Sequence, residues 1–343
     1  MARKAKWRFA FNFGVGLICA RRLFWISIAH VAIVAVLSAD PISYTYSIFD
    51  IPGNNDTRAI GLNDPGQVVG SSADAGIVRG FLRSTDGSFT FFTVPGVPNT
   101  VARSINDLGQ IVGFFFDPQS PHAFLRNPDG TFIMLDAPGF LGTSANSINN
   151  LDEIAGFVEG SFGFQHGFLR RAGDYTYFDV PVPGGTLGTA AWGINNAGEI
   201  VGSYISAIDE RSHGFIRNAA GDSYLLFDFP GSILTDAFGI NDSGQIVGSY
   251  VLNGAQHGFV RSPDGTYISL DVPGSDGGFN QNFFGINNSG QISGLYLGLN
   301  GNLEGYHGFI ATPQAVVPEP GMSSALCLCL LGIISWVRGN RSR

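Results

Sequence analysis

One phrase recurs six times along this 343-residue chain, and its spacing leaves few folds open. Its first half reads Gly-Ile-Asn-Asp-x-Gly-Gln-Ile-Val-Gly, and its second half reads His-Gly-Phe-Ile-Arg, a turn, then Asp-Val-Pro-Gly. The anchoring asparagine stands at Asn63, Asn106, Asn149, Asn195, Asn241 and Asn287, at intervals of 43, 43, 46, 46 and 46 residues. A fixed period in the forties, built of short β-like pieces and glycine turns, is the signature of a propeller blade. The second copy shows the parts. Residues 100–105 alternate as a strand, Asn106-Asp107-Leu108-Gly109 turns, and 110–115 form a second strand. After a loop, 122–126 form a third strand, Asn127-Pro128-Asp129-Gly130 turns, and 131–136 form a fourth.

The two ends of the array are complementary. The last copy stops after His307-Gly308-Phe309-Ile310, without its fourth strand, and that strand's sequence stands at the beginning as residues 46–53. The first strand is thus expected to complete the last blade, closing the ring and removing two exposed edges. The predicted fold is all-β: a six-bladed β-propeller of four-stranded antiparallel blades over residues 40–312. Apolar helices are predicted at both termini, with residues 1–39 as an export signal or N-terminal anchor and 313–343 as a sorting tail.

Charge and cysteine usage agree with export. Arg3, Lys4, Lys6 and Arg8 precede apolar stretches that end in Ser38-Ala39-Asp40. Cys19, Cys327 and Cys329 all lie in the end segments, so the array must be held by its core and its closure rather than by disulfides. Between Asp40 and Val316 there are 10 arginines, no lysine and 26 acidic residues, a balance of −16. Such a surface repels nucleic acid and anionic lipid.

At the C-terminus, Val317-Pro318-Glu319-Pro320 is followed by an apolar stretch, Met322 to Val337, and then by Arg338, Arg341 and Arg343. Sixteen helical residues span about 24 Å, a short membrane helix against a bilayer core of about 30 Å. This tail resembles the PEP-CTERM sorting signal, with Pro318, Glu319 and Pro320 at the motif. The resemblance implies transient inner-membrane anchoring, cleavage by an exosortase-type enzyme, and delivery to the cell surface or extracellular matrix.

Five histidines share one repeat position, and each precedes an aspartate across a turn of variable length: His122 and Asp136, His166 and Asp179, His213 and Asp228, His257 and Asp271. By ring closure His307 pairs with Asp50. Spacing that follows the hairpin register predicts structural cross-strand bonds. It predicts no metal centre, because outer strands cannot converge. No phosphate loop, nucleophile elbow or zinc-binding helix appears, and no cofactor is implied.

The innermost strands carry the candidate binding residues. Six residues before each asparagine stands Thr57, Thr100, Thr143, Thr189, Thr235 or Gln281, and four before stands alanine, or Phe283 in the last copy. Three before, the copies diverge to Ile60, Arg103, Asn146, Trp192, Phe238 and Phe284. This position is predicted to face the channel, setting an arc of Trp192, Phe238 and Phe284 opposite Arg103 and Asn146. Aromatic faces with polar donors suit a sugar ring. The loops joining fourth to first strands (140–142, 183–187, 276–279) and second to third strands (117–121, 207–212, 299–306) vary between copies and share one face. That face is the expected binding side.

The repeats also resemble the HAF repeat of extracellular bacterial proteins, from about Tyr44 to Thr312, through His122-Ala123-Phe124 and the His-Gly-Phe variants. Arg79-Gly80-Phe81 departs from the motif. The resemblance implies export and a propeller. The functional expectation is a non-enzymatic propeller that binds exopolysaccharide or a cell-surface partner in the extracellular matrix. The alternatives are a lyase or glycoside hydrolase with its site in the axial funnel, which needs convergent carboxylates, and a purely structural matrix protein.

Overall fold

A computed structural model describes residues 42–314, apart from 55, 118–119, 276–280 and 299–304. The expected export segment, both terminal helices, the cysteines, the sorting motif Pro318-Glu319-Pro320 and the loop tips 276–279 and 299–304 lie outside the described residues. No helix among the described residues is long and apolar enough to cross a membrane.

The described chain is strands and turns, with one short 3-10 turn at Ser161–Gly163. β1 spans Tyr44–Phe49, and six antiparallel runs follow. The first is β2 (Thr57–Leu62), β3 (Val68–Asp74), β4 (Ile77–Arg83) and β5 (Phe89–Phe92). The second is β6 (Thr100–Ile105), β7 (Ile111–Phe116), β8 (Pro121–Arg126) and β9 (Phe132–Met134). The third is β10 (Gly142–Ile148), β11 (Ile154–Glu159), β12 (Gln165–Arg171) and β13 (Asp174–Phe178). The fourth is β14 (Thr186–Ile194), β15 (Ile200–Ser206), β16 (Ser212–Arg217) and β17 (Tyr224–Phe227). The fifth is β18 (Leu234–Ile240), β19 (Ile246–Leu252), β20 (Ala255–Arg261) and β21 (Tyr267–Leu270). The last has three strands, β22 (Gln281–Ile286), β23 (Ile292–Leu297) and β24 (Tyr306–Pro313).

The result is an all-β, propeller-like fold of small antiparallel sheets. The repeat predicts six separate sheets, and here the structure differs. Four sheets have four strands, while the third and fourth runs share one eight-stranded sheet. The cause is local. β14 has nine residues, where the other first strands have six or seven, and its Gly188 makes a parallel bridge to Gln165 of β12. β1 pairs antiparallel with β24, Tyr44 opposite Pro313 and Phe49 opposite Gly308, so the chain's first strand is the outer strand of its last sheet.

The repeated residues are the packing residues. Every phenylalanine of the His-Gly-Phe position, Phe81, Phe124, Phe168, Phe215, Phe259 and Phe309, is fully buried. Each such side chain stabilises by about 2–3 kcal/mol. The glycine opposite it in the Ile-Val-Gly strand has a steric reason: a Cβ on Gly113 would lie 2.0 Å from the Val101 carbonyl oxygen and 3.0 Å from the Phe124 ring. The core lies between neighbouring runs. Val112 and Leu125 of the second pack with Ala145, Ile154 and Phe168 of the third. The buried threonines tie the runs together. Thr100 Oγ1 accepts the Val94 N–H at 2.9 Å, Thr143 the Ala137 N–H at 3.0 Å, and Gln281 Oε1 takes over for Val272 at 2.9 Å.

The anchoring asparagines close the ring. Each side-chain amide donates to the next asparagine's backbone carbonyl at 3.0–3.3 Å, and Asn287 donates back to Asn63. One residue further on, each backbone N–H of Asp64, Asp107, Asn150, Asn196, Asp242 and Asn288 donates to the next side-chain oxygen at 2.7–2.9 Å, and this cycle also closes.

Candidate functional site

The six first strands surround the axis, and each carries the same irregularity. Pairing skips one residue between Ala59 and Gly61, Ala102 and Ser104, Ala145 and Ser147, Ala191 and Gly193, Ala237 and Gly239, and Phe283 and Gly285. The skipped residues are Ile60, Arg103, Asn146, Trp192, Phe238 and Phe284. A bulge leaves its extra residue unpaired and re-aims the side chain. All six line the axial channel.

There they pack on one another. Trp192 meets Phe238 edge-to-face at 5.8 Å between centroids, Phe238 meets Phe284 at 5.1 Å, and the Arg103 guanidinium carbon lies 5.5 Å from the Trp192 ring and 5.2 Å from Phe114. Two of the polar members are satisfied internally. Trp192 Nε1 donates to Ser203 Oγ at 3.0 Å. Asn146 donates to the Ala191 carbonyl at 2.9 Å and accepts from Ser144 Oγ at 2.9 Å. Arg103 is different. Its Nε is buried without a hydrogen-bond partner, and no hydrogen bond or ion pair from its guanidinium is found among the described residues. Burial brings its pKa down to about 10, which leaves it charged at neutral pH.

The bulge residues divide the channel. Towards the Asn-Asp turns the space is about 120 Å³. On the other side a cavity of about 330 Å³ lies over the first, second and last runs. Val101, Phe114, Phe116 and Phe284 wall it, and Arg58 and Arg103 are its two cations. Ile60, Arg103 and Phe284 border both spaces. Phe116 ends β7, next to one of the variable loops, and remains half-exposed at 49%. Arg58 pairs with Asp56 at 2.8 Å and lies over the Tyr306 ring at 4.8 Å.

Sequence reasoning did not identify Arg58, Phe114 and Phe116. A signal for Arg58 existed: the residues five before each asparagine, Arg58, Val101, Ser144, Ala190, Asp236 and Asn282, diverge as much as the bulge residues do. Asp236 holds this position in β18. Burial raises its pKa, against hydrogen bonds from Ser212 and Ser203 that lower it.

The histidines stand apart from both spaces. His122, His166, His213, His257 and His307 each place Nδ1 2.8–3.0 Å from the carboxylates of Asp136, Asp179, Asp228, Asp271 and Asp50 respectively. Four of them also lie against the aromatic ring opposite in the neighbouring strand, at 5.2–5.3 Å: Phe115, Tyr204, Tyr250 and Tyr296. Among the described residues no group of three or more His, Cys, Asp or Glu side chains is placed to hold a metal ion.

By sequence, no protein-family profile and no curated protein matches the chain. By structure it is similar to β-propeller proteins. One is TolB from Acinetobacter baumannii, at 12% identity and a TM-score of 0.52, over 73% of this chain and 64% of that one. A triple arginine-to-alanine mutant of AofleA from Arthrobotrys oligospora matches at 10% identity and 0.50, over 80% of this chain and 91% of that one. Virginiamycin B lyase from Staphylococcus aureus matches at 12% and 0.47, over 79% and 99%. At these identities the likeness concerns the fold.

Proposed function

We propose that the protein is an exported, non-enzymatic six-bladed β-propeller that binds an extracellular glycan on its variable-loop face. The closed cycle of six asparagines, with one bulged first strand per member, supports six blades, the third and fourth joined by a single bridge. The observation that carries the binding reading is the 330 Å³ cavity beside the unequal loops, with Phe114, Phe116 and Phe284 in its wall. Aromatic faces pack on the C–H faces of sugars, and a concave, preformed pocket of this size suits one ring. The PEP-CTERM-like tail supplies the address: an inner-membrane intermediate, processed by an exosortase-type partner, then surface or matrix.

Two measurements test the proposal. Full-length protein is applied to a glycan array, wild type beside Phe116→Ala. The expected outcome is a bound glycan lost in the variant with the thermal midpoint unchanged, and an array silent for wild type sinks the glycan reading. Intact mass of the exported form is expected to lack Arg338, Arg341 and Arg343, and their retention sinks the processing step.

A lyase or glycoside hydrolase reading gains one observation, the raised pKa of Asp236 on an axial strand. It still needs a second convergent group: Asp236 lines neither cavity, and the acids that line the smaller one, Asp64, Asp107 and Asp242, accept hydrogen bonds within the turn cycle.

A further inference from the structure

The larger cavity carries a charge that the fold leaves unanswered. Within the processed array, arginines are outnumbered by 26 acidic residues to 10. Even so, two arginines line this one cavity, and no carboxylate does. Arg58 has a partner in Asp56. Arg103 has none.

Other repeat arginines show what a structural arginine looks like here. Arg126, Arg217 and Arg261 lie over Phe92, Phe178 and Phe227 of the preceding run at 4.9, 4.6 and 5.0 Å; their Nε atoms lack partners as that of Arg103 does, but Arg126 and Arg261 donate to the carbonyl of the residue that follows. They recur at one repeat position and clamp neighbouring runs. Arg103 occurs once, at a bulge where the other copies have Ile, Asn, Trp or Phe. Its two ring contacts attract the charge but accept none of its five N–H donors. An enclosed guanidinium without acceptors is costly, and a carboxylate answers it with short, paired, charge-assisted bonds.

We propose that this cavity recognises a uronic acid unit, with the ligand carboxylate on Arg103 and the sugar's C–H face on Phe114 and Phe284. The inference rests on the glycan reading and adds the acid. The acidic surface opposes a polyanion as a whole, so the unit recognised is a single acidic sugar at a chain end or branch. Arg58, Ser71 and Asn99 also line the cavity and offer polar groups to the hydroxyls of the bound ring.

The test is calorimetric titration of the full-length protein with methyl glucuronide, its methyl ester and methyl glucoside. The glucuronide is expected to bind about tenfold to a hundredfold more tightly than either neutral probe, as loss of a charged hydrogen-bonded pair implies. Arg103→Met should abolish that preference. Arg103→Lys should keep part of it, since lysine retains the charge but not the paired donors. The thermal midpoint of Arg103→Met should not fall, because the substitution removes a charge that has no hydrogen-bonding partner in the fold. If that variant does not fold, the three probes on wild type still decide. Equal binding of acid, ester and glucoside overturns the carboxylate inference and leaves glycan binding standing. Binding of none of the three overturns both.

Discussion

At the scale of single residues, departures from the repeat are the informative positions. Five of the six Asn turns place glycine in the left-handed region, from Gly66 to Gly290, but the third copy has Asp152 there at φ 62°. A non-glycine residue in that region is strained, and Asp152 gains only a 3.4 Å exposed bond from Gln110. Asp152→Gly is expected to raise stability by about 1 kcal/mol, read as a shift in urea midpoint. The histidines behave differently, because their pairing is charge-dependent. For His213, burial alone lowers the pKa, but hydrogen bonds to Asp228 and Asp209 outweigh it and the net shift is upward. A raised folded pKa means that the histidine's contribution is fully present below its ordinary value of 6.5 and is lost as pH rises through the folded value. His213→Ala should therefore cost about 1 kcal/mol at pH 5 and less at pH 9, measured by denaturation at both. A cost independent of pH would make the contact to Tyr204, rather than the ion pair, the source of stability.

At the scale of elements, the second strand of each run fixes how closely the first can approach it. Its glycine admits both the Phe ring and the facing carbonyl, as Gly156, Gly202 and Gly248 do with Ser144, Ala190 and Asp236. The clash that alanine would make is with backbone, which cannot swing aside. Gly113→Ala is expected to cost about 3 kcal/mol or more and to move β6, and with it Arg103. A change below about 0.5 kcal/mol would show that β6 can shift freely, and would undercut the view that the bulge residue is held in place by packing. The same elements explain why the bulge recurs. One extra residue in every first strand turns a fixed position towards the channel, so a single substitution per copy changes the lining without disturbing the sheet.

At the scale of the whole molecule, closure joins residues far apart in sequence. β1 meets β24, Asp50 meets His307, and Asn287 donates to Asn63. Removing residues before Pro52 takes away the outer strand of the last sheet and leaves β24 as an exposed edge. That truncation is expected to broaden thermal unfolding and to promote association through the open edge, visible by light scattering. A truncated chain that melts like the intact one would show that the asparagine cycle alone holds the ring.

The sequence alone determined what is periodic. Blade length, turn chemistry, the His–Asp register and the complementary ends are written in spacing, because each follows from bonds that recur from copy to copy. The divergent residues three before each asparagine were also visible as a class. What only the tertiary structure decided is what is unequal. A difference of two or three residues in how far β14 extends is enough to bridge two sheets, and no periodicity encodes it. Trp192, Phe238 and Phe284 turned out to pack against each other at the channel's waist, while the larger space opened off-axis over other runs. That outcome depends on the summed volumes of six different side chains meeting at one axis. The partnerless state of Arg103 is likewise a property of the assembled ring, since it is set by what residues from other copies do not bring to it.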